Sequence, residues 1–249
     1  MTLSVWSEEK INKCPGAILL DLDNTIYAYE PAHAAALKAV SAKAGVLLGI
    51  AQGDFDSLYG KARQDAKARL GRTAASHSRL LYFQRLIELA GFGTQVLATL
   101  DLEQTYWRSF LGFARMFGNV LEFLDDVRRT GVPVAVVSDL TTQIQFRKIV
   151  HFGLDRHIDY VVTSEEAGED KPARSIFDLA LQKLGPLSGP VWLIGEDPVT
   201  DVQGARTIGA VALQKIHAGV AAANPPADAT FDEFSDLQML LARLVPESC

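Results

Sequence analysis

From Gly118 onward the sequence alternates between short apolar runs and amphipathic segments, and this alternation limits the fold more than any other feature. Val120–Thr130 reads as a helix ended by Gly131. Val132–Ser138 (VPVAVVS) is a continuous β-branched run, the pattern of a strand covered on both faces. Thr141–His151 reads as a helix, Ile158–Thr163 as a strand, Ala173–Leu184 as a helix and Val191–Ile194 as a strand. Val199–Ile208, Ala210–Gln214 and Leu237–Val245 continue as helix, strand and closing helix. Such a βαβα series predicts an α/β protein, with a Rossmann-like parallel sheet and helices on both faces. Near the N-terminus, Ala17-Ile18-Leu19-Leu20 is too short for a typical helix, follows Pro15-Gly16 and ends in acids. It reads as a buried strand of the same sheet.

Between Pro31 and Phe117 the strand-like pattern disappears. Ala-rich and Leu-rich periodicity predicts four helices, at about 31–50, 54–70, 77–91 and 95–116, with Asp54 and Ser76 as N-caps. The expected organisation is therefore an α/β core of residues 1–27 and 118–249, interrupted by an inserted α-helical domain of residues 28–117. Composition agrees with a soluble globular protein: 48% hydrophobic and 22% charged residues. A net charge of −6 disfavours nucleic acid and anionic membrane as partners. No run approaches the ~18 apolar residues of a membrane span, and the first residues carry no signal-peptide pattern, so a cytoplasmic location is expected. Cys14 and Cys249 lie near opposite ends without metal-ligand spacing, which predicts free thiols.

The unusual polar residues fall where strands end. The first strand runs into Asp21-Leu22-Asp23-Asn24-Thr25, the second into Ser138-Asp139, and the fourth into Gly195-Glu196-Asp197-Pro198, with Asp201 a turn later. Lys171-Pro172 follows the third. Open parallel sheets bind ligands outside the carboxyl ends of their strands, so four separated segments converge on one edge. Asp21, Asp23, Glu196, Asp197 and Asp201 together form a cluster that is costly unless a cation neutralises it. Oxygen ligands without nearby His or Cys favour magnesium, which commonly takes phosphate as a further ligand. Lys171 and the Ser138 hydroxyl are natural donors to phosphate oxygens, and a carboxylate can serve as a nucleophile.

In this order and spacing, Asp21-Leu22-Asp23-Asn24-Thr25, Ser138, Lys171-Pro172 and the segment from Gly195 to Asp201 resemble the four motifs of the haloacid dehalogenase-like hydrolases. The resemblance covers the sheet region. The long interval from Asp23 to Ser138 is similar to that of members with a helical cap inserted after the first motif. The short interval from Ser138 to Lys171 leaves no room for a cap there. The resemblance implies a magnesium-dependent phosphatase acting on a small phosphorylated metabolite. It assigns Asp21 as nucleophile, and Asp23 as general acid and base whose backbone carbonyl also contacts the metal. Ser138 and Asp139 stand at the phosphate, and Lys171 stabilises both nucleophile and phosphoryl charge. Glu196, Asp197 and Asp201 support magnesium, with Glu196 or Asp197 as the direct ligand. Glu196 stands where the family usually has Asp, Asp139 where many members have Asn, and Ala173-Arg174 where Asp-Pro is common.

Asp23 favours phosphate-ester hydrolysis, because dehalogenases lack this second acid. A phosphosugar mutase carries both acids and is an alternative. A non-catalytic phosphate or metal sensor is another, against which Asp23 and the insert argue. In the insert, Arg72, His77, Arg79 and Arg108 are candidates for substrate contact, beside the bland reading of a solvated helix face.

Overall fold

The computed structural model describes residues 3–244. In chain order the elements begin with β1 (Ser4–Val5) and β2 (Ala17–Leu20). There follow α1 (Tyr29–Leu48), α2 (Gln52–Leu70), a 3-10 turn at Ala74–His77, α3 (Arg79–Leu89) and α4 (Val96–Phe113). Next come α5 (Val120–Arg129), β3 (Val134–Ser138), α6 (Thr142–His151), β4 (Tyr160–Thr163), α7 (Ser164–Ala167), α8 (Arg174–Leu184) and β5 (Val191–Gly195). A π-helical turn at Pro198–Gln203 runs into α9 (Gly204–Thr207), followed by β6 (Val211–Lys215), β7 (Ala229–Phe231) and α10 (Phe234–Leu244). Two compact units emerge: Met1–Tyr27 with Met116–Cys249, and Ala28–Arg115.

The first unit holds a sheet of order β1-β7-β6-β5-β2-β3-β4, parallel except for β1. The strand order reverses at β2. The chain runs from β2 to β3 and β4 on one side, then returns to β5, β6 and β7 on the other. Registers place Leu20 beside Val136 of β3 and Ile194 of β5. The residues just past Leu20, Val137 and Ile194 therefore open into the crevice of the switch point.

Period-2 alternation sends Leu19, Val137 and Leu193 into one apolar layer, where they meet Ile176, Phe177 and Ala180 of α8. The intervening Ile18, Leu20 and Val136 face the other way and are equally buried. On α5, Val120, Phe123, Leu124 and Val127 follow helical spacing and pack with α10, the Phe123 and Phe234 rings lying 5.8 Å apart. Fully burying each large side chain is worth about 2–3 kcal/mol relative to exposing it.

In the second unit α1 pairs with α4, and α2 with α3. The predicted caps are misplaced here. Ala51, not Asp54, precedes α2; Asp54 sits in the first turn, where the helix dipole favours an acid. Ser78, not Ser76, caps α3, its hydroxyl accepting from the Leu81 amide. The helix expected at 199–208 is a π-helical turn with one α turn after it. Strands β1 and β7 were not anticipated; two and three residues are too few to show a period. Cys14 is a free, half-buried thiol. Val245 of the expected closing helix, and Cys249, lie outside the described residues. Among the described residues no single helix is long and apolar enough to cross a membrane.

The two ends of the interruption in the first unit are tied together. Tyr27 and Met116 form an antiparallel bridge, and the Phe117 amide donates to the Ile26 carbonyl at 2.9 Å.

Candidate active site

Asp21 leaves the end of β2 with its amide bonded to the Ile194 carbonyl, which fixes the residue between β2 and β5. Its carboxylate is buried. Lys171 Nζ donates to Asp21 Oδ1 and to Asp201 Oδ1, both at 2.7 Å. The Thr25 hydroxyl lies 2.7 Å from Asp21 Oδ2 and 2.9 Å from Glu196 Oε2. It carries one proton and can serve only one carboxylate at a time. Oxygens of Asp21, Glu196 and Asp201 all lie within 4.8 Å of one another. Three carboxylates thus face the single ammonium of Lys171.

The electrostatics express this excess of negative charge. Burial, partly offset by Lys171 and reinforced by Asp201, pushes Asp21 up to about 6. Burial, with Asp21 and Asp201 nearby, pushes Glu196 up to about 10. Burial disfavours the Lys171 ammonium, yet Asp201, Asp21 and Asp139 outweigh it and hold its pKa well above the usual value. Without a cation Glu196 keeps a proton at neutral pH. Three hard oxygen donors, with one further hydroxyl and no nitrogen or sulfur, suit a divalent cation such as magnesium or calcium.

Asp201 reaches this cluster because the chain opposite it has no side chain. A Cβ on Gly195 would lie 2.4 Å from Asp201 Cγ. Gly195→Ala is therefore expected to displace Asp201 and weaken divalent-cation binding about 10- to 100-fold, the cost typical of disturbing a ligand's support. Calorimetric titration checks this; unchanged affinity would show that Asp201 is dispensable to the ion. Asp197 has another task. Its Oδ1 accepts from the Val199 and Thr200 amides at 2.7 and 2.8 Å, capping the π-helical turn. Its own amide donates to Asp201 Oδ2 at 3.0 Å. The structure groups Glu196, and not Asp197, with Asp21 and Asp201.

Asp23 is held apart from that trio. Lys148 Nζ donates to both of its oxygens at 2.6 Å, and the Tyr27 hydroxyl donates to Oδ1. Gln145 Nε2 approaches Oδ2 at 3.4 Å. Burial alone would raise the Asp23 pKa, but the Lys148 charge and these hydrogen bonds bring it below the ordinary carboxylate range. Lys148 is only 1% exposed. Gln145 Nε2 also donates to Ser138 Oγ at 2.8 Å and to the Asp139 carbonyl at 2.6 Å. Both residues lie on α6, three positions apart and so on one face.

Gln145 and Lys148 escaped the sequence reading. Their signal was present: they occupy the stripe of α6 that also carries Ile144 and Ile149 toward the interior. Polar residues on a buried helix stripe need a partner, and here the partners are at the ends of β2 and β3.

Ser138 is buried at the end of β3. The Asp139 Oδ1 accepts from the Lys171 amide at 2.8 Å, so this carboxylate orients the Lys171 backbone. The next residue, Leu140, has φ of 100°, a conformation that costs a non-glycine residue of order 1–3 kcal/mol. Arg72, His77, Arg79 and Arg108 all lie in the helical unit. Arg72 and Arg108 are exposed and His77 is half-buried in the 3-10 turn, whereas Arg79 turns into an aromatic interior.

Comparisons with known proteins add the following. A family model for haloacid dehalogenase-like hydrolase matches residues 15–209. The ribulose-1,5-bisphosphate 5-phosphatase of Halopiger xanaduensis is 36% identical over 198 residues, covering 78% of this chain and 81% of the relative. The phosphoserine phosphatase of Thermus thermophilus is 27% identical over 225 residues, covering 79% and 86%. Among solved structures, Bacillus subtilis YfnB bound to magnesium matches with a TM-score of 0.69 at 18% identity, covering 92% of this chain and 99% of that one, which shows a shared fold. With a family match across most of its length and a relative this similar, the chain belongs to the haloacid dehalogenase-like hydrolases.

Proposed function

We propose that this hydrolase is a magnesium-dependent phosphatase that releases phosphate from a small phosphorylated metabolite through an aspartyl-phosphate at Asp21. The chain is a phosphoric monoester hydrolase. The observation that carries the finer reading is the separation of two carboxylates two residues apart. Asp21 sits against Lys171 with Glu196 and Asp201. Asp23 sits against Lys148 and Tyr27. Pairs of acids in opposed environments are the mark of divided acid, base and nucleophile roles. The named phosphatase relatives support the reaction, and the bisphosphatase of Halopiger xanaduensis directs the search toward phosphorylated sugars.

The chemistry follows from the positions of the side chains. Asp21 attacks phosphorus, the bond to the leaving oxygen breaks, and Asp23 delivers a proton to that oxygen. In the second half Asp23 takes a proton from water, which attacks the phosphoryl group and frees Asp21. Lys171 offsets charge on Asp21 and on the phosphoryl oxygens, and the Ser138 hydroxyl donates to one of them. Asp21, Glu196 and Asp201, with the Asp23 carbonyl, would hold magnesium, which supplies charge neutralisation beside the incoming dianion. Asp23 is ionised in the free enzyme, the form from which the base half of the cycle starts. A phosphate dianion placed beside this carboxylate raises its pKa toward the value an acid needs. Assay of an aryl phosphate and a panel of phosphorylated sugars, with and without EDTA, tests the proposal. EDTA-insensitive turnover, or none with any ester, rejects it.

The raised pKa of Glu196 gives a second test. An unfolded Glu titrates near 4.5, the folded one near 10 in the absence of a cation. Between these values the folded state binds a proton that the unfolded state lacks, so this contribution to stability falls as pH rises. A cation takes the place of that proton. Magnesium is therefore expected to raise the melting temperature more at about pH 8 than at about pH 5. Equal shifts at both would exclude Glu196 as a ligand.

A further inference from the structure

We propose that the helical unit carries an anion-binding site of its own, centred on the Arg79 guanidinium and suited to a phosphate or carboxylate group. Arg79 opens α3, and its side chain runs inward. Its Nη1 donates to the His77 carbonyl at 2.6 Å and its Nη2 to the Tyr29 hydroxyl. Its Nε is buried with no hydrogen-bond partner. The guanidinium carbon lies 5.5 Å from the Tyr82 ring centre, 5.4 Å from that of Tyr106 and 5.7 Å from that of Trp107. Aromatic faces attract a cation but do not neutralise it.

Among the described residues no carboxylate forms an ion pair with Arg79. Three acids of the unit pair with other cations: Asp65 and Glu88 with Arg85, Asp101 with Lys43. An enclosed cation without a counter-ion is the expensive half of an ion pair. Its immediate neighbours can receive an anion. The Tyr29 and Tyr106 hydroxyls lie 3.3 Å apart beside it, and the His33 ring meets Tyr106 at 2.6 Å. Burial, then the charges of Arg79 and Arg63, pushes His33 down to about 4, so the ring beside Tyr106 is neutral at pH 7. Arg79 as a whole is half-buried, with its Nε enclosed. A planar guanidinium with an unused Nε–H, flanked by phenolic donors, matches the flat or tetrahedral face of an oxyanion.

The test observes Arg79 directly. The full chain is labelled with nitrogen-15 arginine, and the Arg79 Nε–H resonance is assigned by its loss in Arg79→Lys. If that variant does not fold, Tyr29→Phe, which perturbs the same resonance, gives the assignment. Inorganic phosphate and acetate are then titrated in EDTA, where no divalent cation is left in the other unit to hold an anion. A shift that saturates at millimolar concentration is expected, and a resonance unmoved up to about 50 mM overturns the proposal. The source of the anion is read from kcat/KM for a sugar bisphosphate relative to an aryl monophosphate. If Arg79→Lys lowers this ratio at least about tenfold, the site takes the second anionic group of a substrate. If the shift saturates and the ratio stays within twofold, the site takes a free anion. A wild-type chain that hydrolyses neither ester defeats the phosphatase reading while leaving the resonance titration to decide this one.

Discussion

Asp21→Asn is expected to lower turnover of any phosphate ester by about 10⁴-fold or more, the scale seen when a covalent nucleophile is removed. The amide is the same size as the carboxylate; its oxygen can still accept from Lys171 while its NH2 turns to the Thr25 hydroxyl, which can accept, so the loss cannot be assigned to a collapsed site. One of three crowded acids is also replaced by a neutral group. The metal-free variant should therefore melt no lower than the parent, even as activity vanishes. Turnover assays with thermal denaturation in EDTA separate the two effects. Retention of full magnesium-dependent activity would mean that the nucleophile lies elsewhere.

The second large effect is expected at a residue that touches no reacting atom. Lys148→Met removes the ammonium that grips both oxygens of Asp23. Leaving one half of a largely buried ion pair costs roughly 3 kcal/mol of stability. It also frees the carboxylate to rotate and lets its pKa rise. The kinetic signature distinguishes this from general loosening. Esters with a poor alkoxide leaving group need the proton from Asp23, and their kcat is expected to fall about 10²- to 10³-fold. An aryl phosphate with an acidic phenol needs little proton transfer and should lose far less. Asp23→Asn is the reference, and the two variants should share the same dependence on leaving group. A uniform loss across both ester types in Lys148→Met, with the dependence present in Asp23→Asn, would assign Lys148 to the fold alone.

The sequence exposed the sheet because three apolar runs are each cut off by a turn or polar group. Ala17–Leu20 stops at Asp21, Val134–Val137 at Ser138, and Val191–Ile194 at Gly195-Glu196. Open parallel sheets bind ligands past the carboxyl ends of their strands, so polar residues gathered at several such ends made fold and candidate cluster legible together. What stayed hidden depends on contacts across long intervals. Lys148 reads as one more basic residue near a helix C-terminus until Asp23, 125 positions away, is seen against it. Asp197 and Asp201 look equivalent as acids in a row. They diverge only because the π-helical turn gives the first a capping task and points the second past Gly195. The sequence likewise gives no sign that the Asp139 carboxylate accepts from the Lys171 amide, 32 positions away. The short edge strands β1 and β7 were invisible because they are defined by pairing with each other and with β6, not by a local pattern.

The bridge between Tyr27 and Met116, with the Phe117 amide on the Ile26 carbonyl, has a bearing on how such a chain can diversify. The two cut ends of the sheet unit are already clasped before any residue of the insert is counted. Whatever lies between them is closed at its base by the host, and loop-closure entropy grows only slowly with its length. The helices of residues 28–115 can therefore lengthen, drift in sequence or be exchanged for another module without altering the order of β2, β3 and β5. The strand-end carboxylates and the inserted helices thus belong to pieces of one polypeptide whose covalent connection is only a few residues wide.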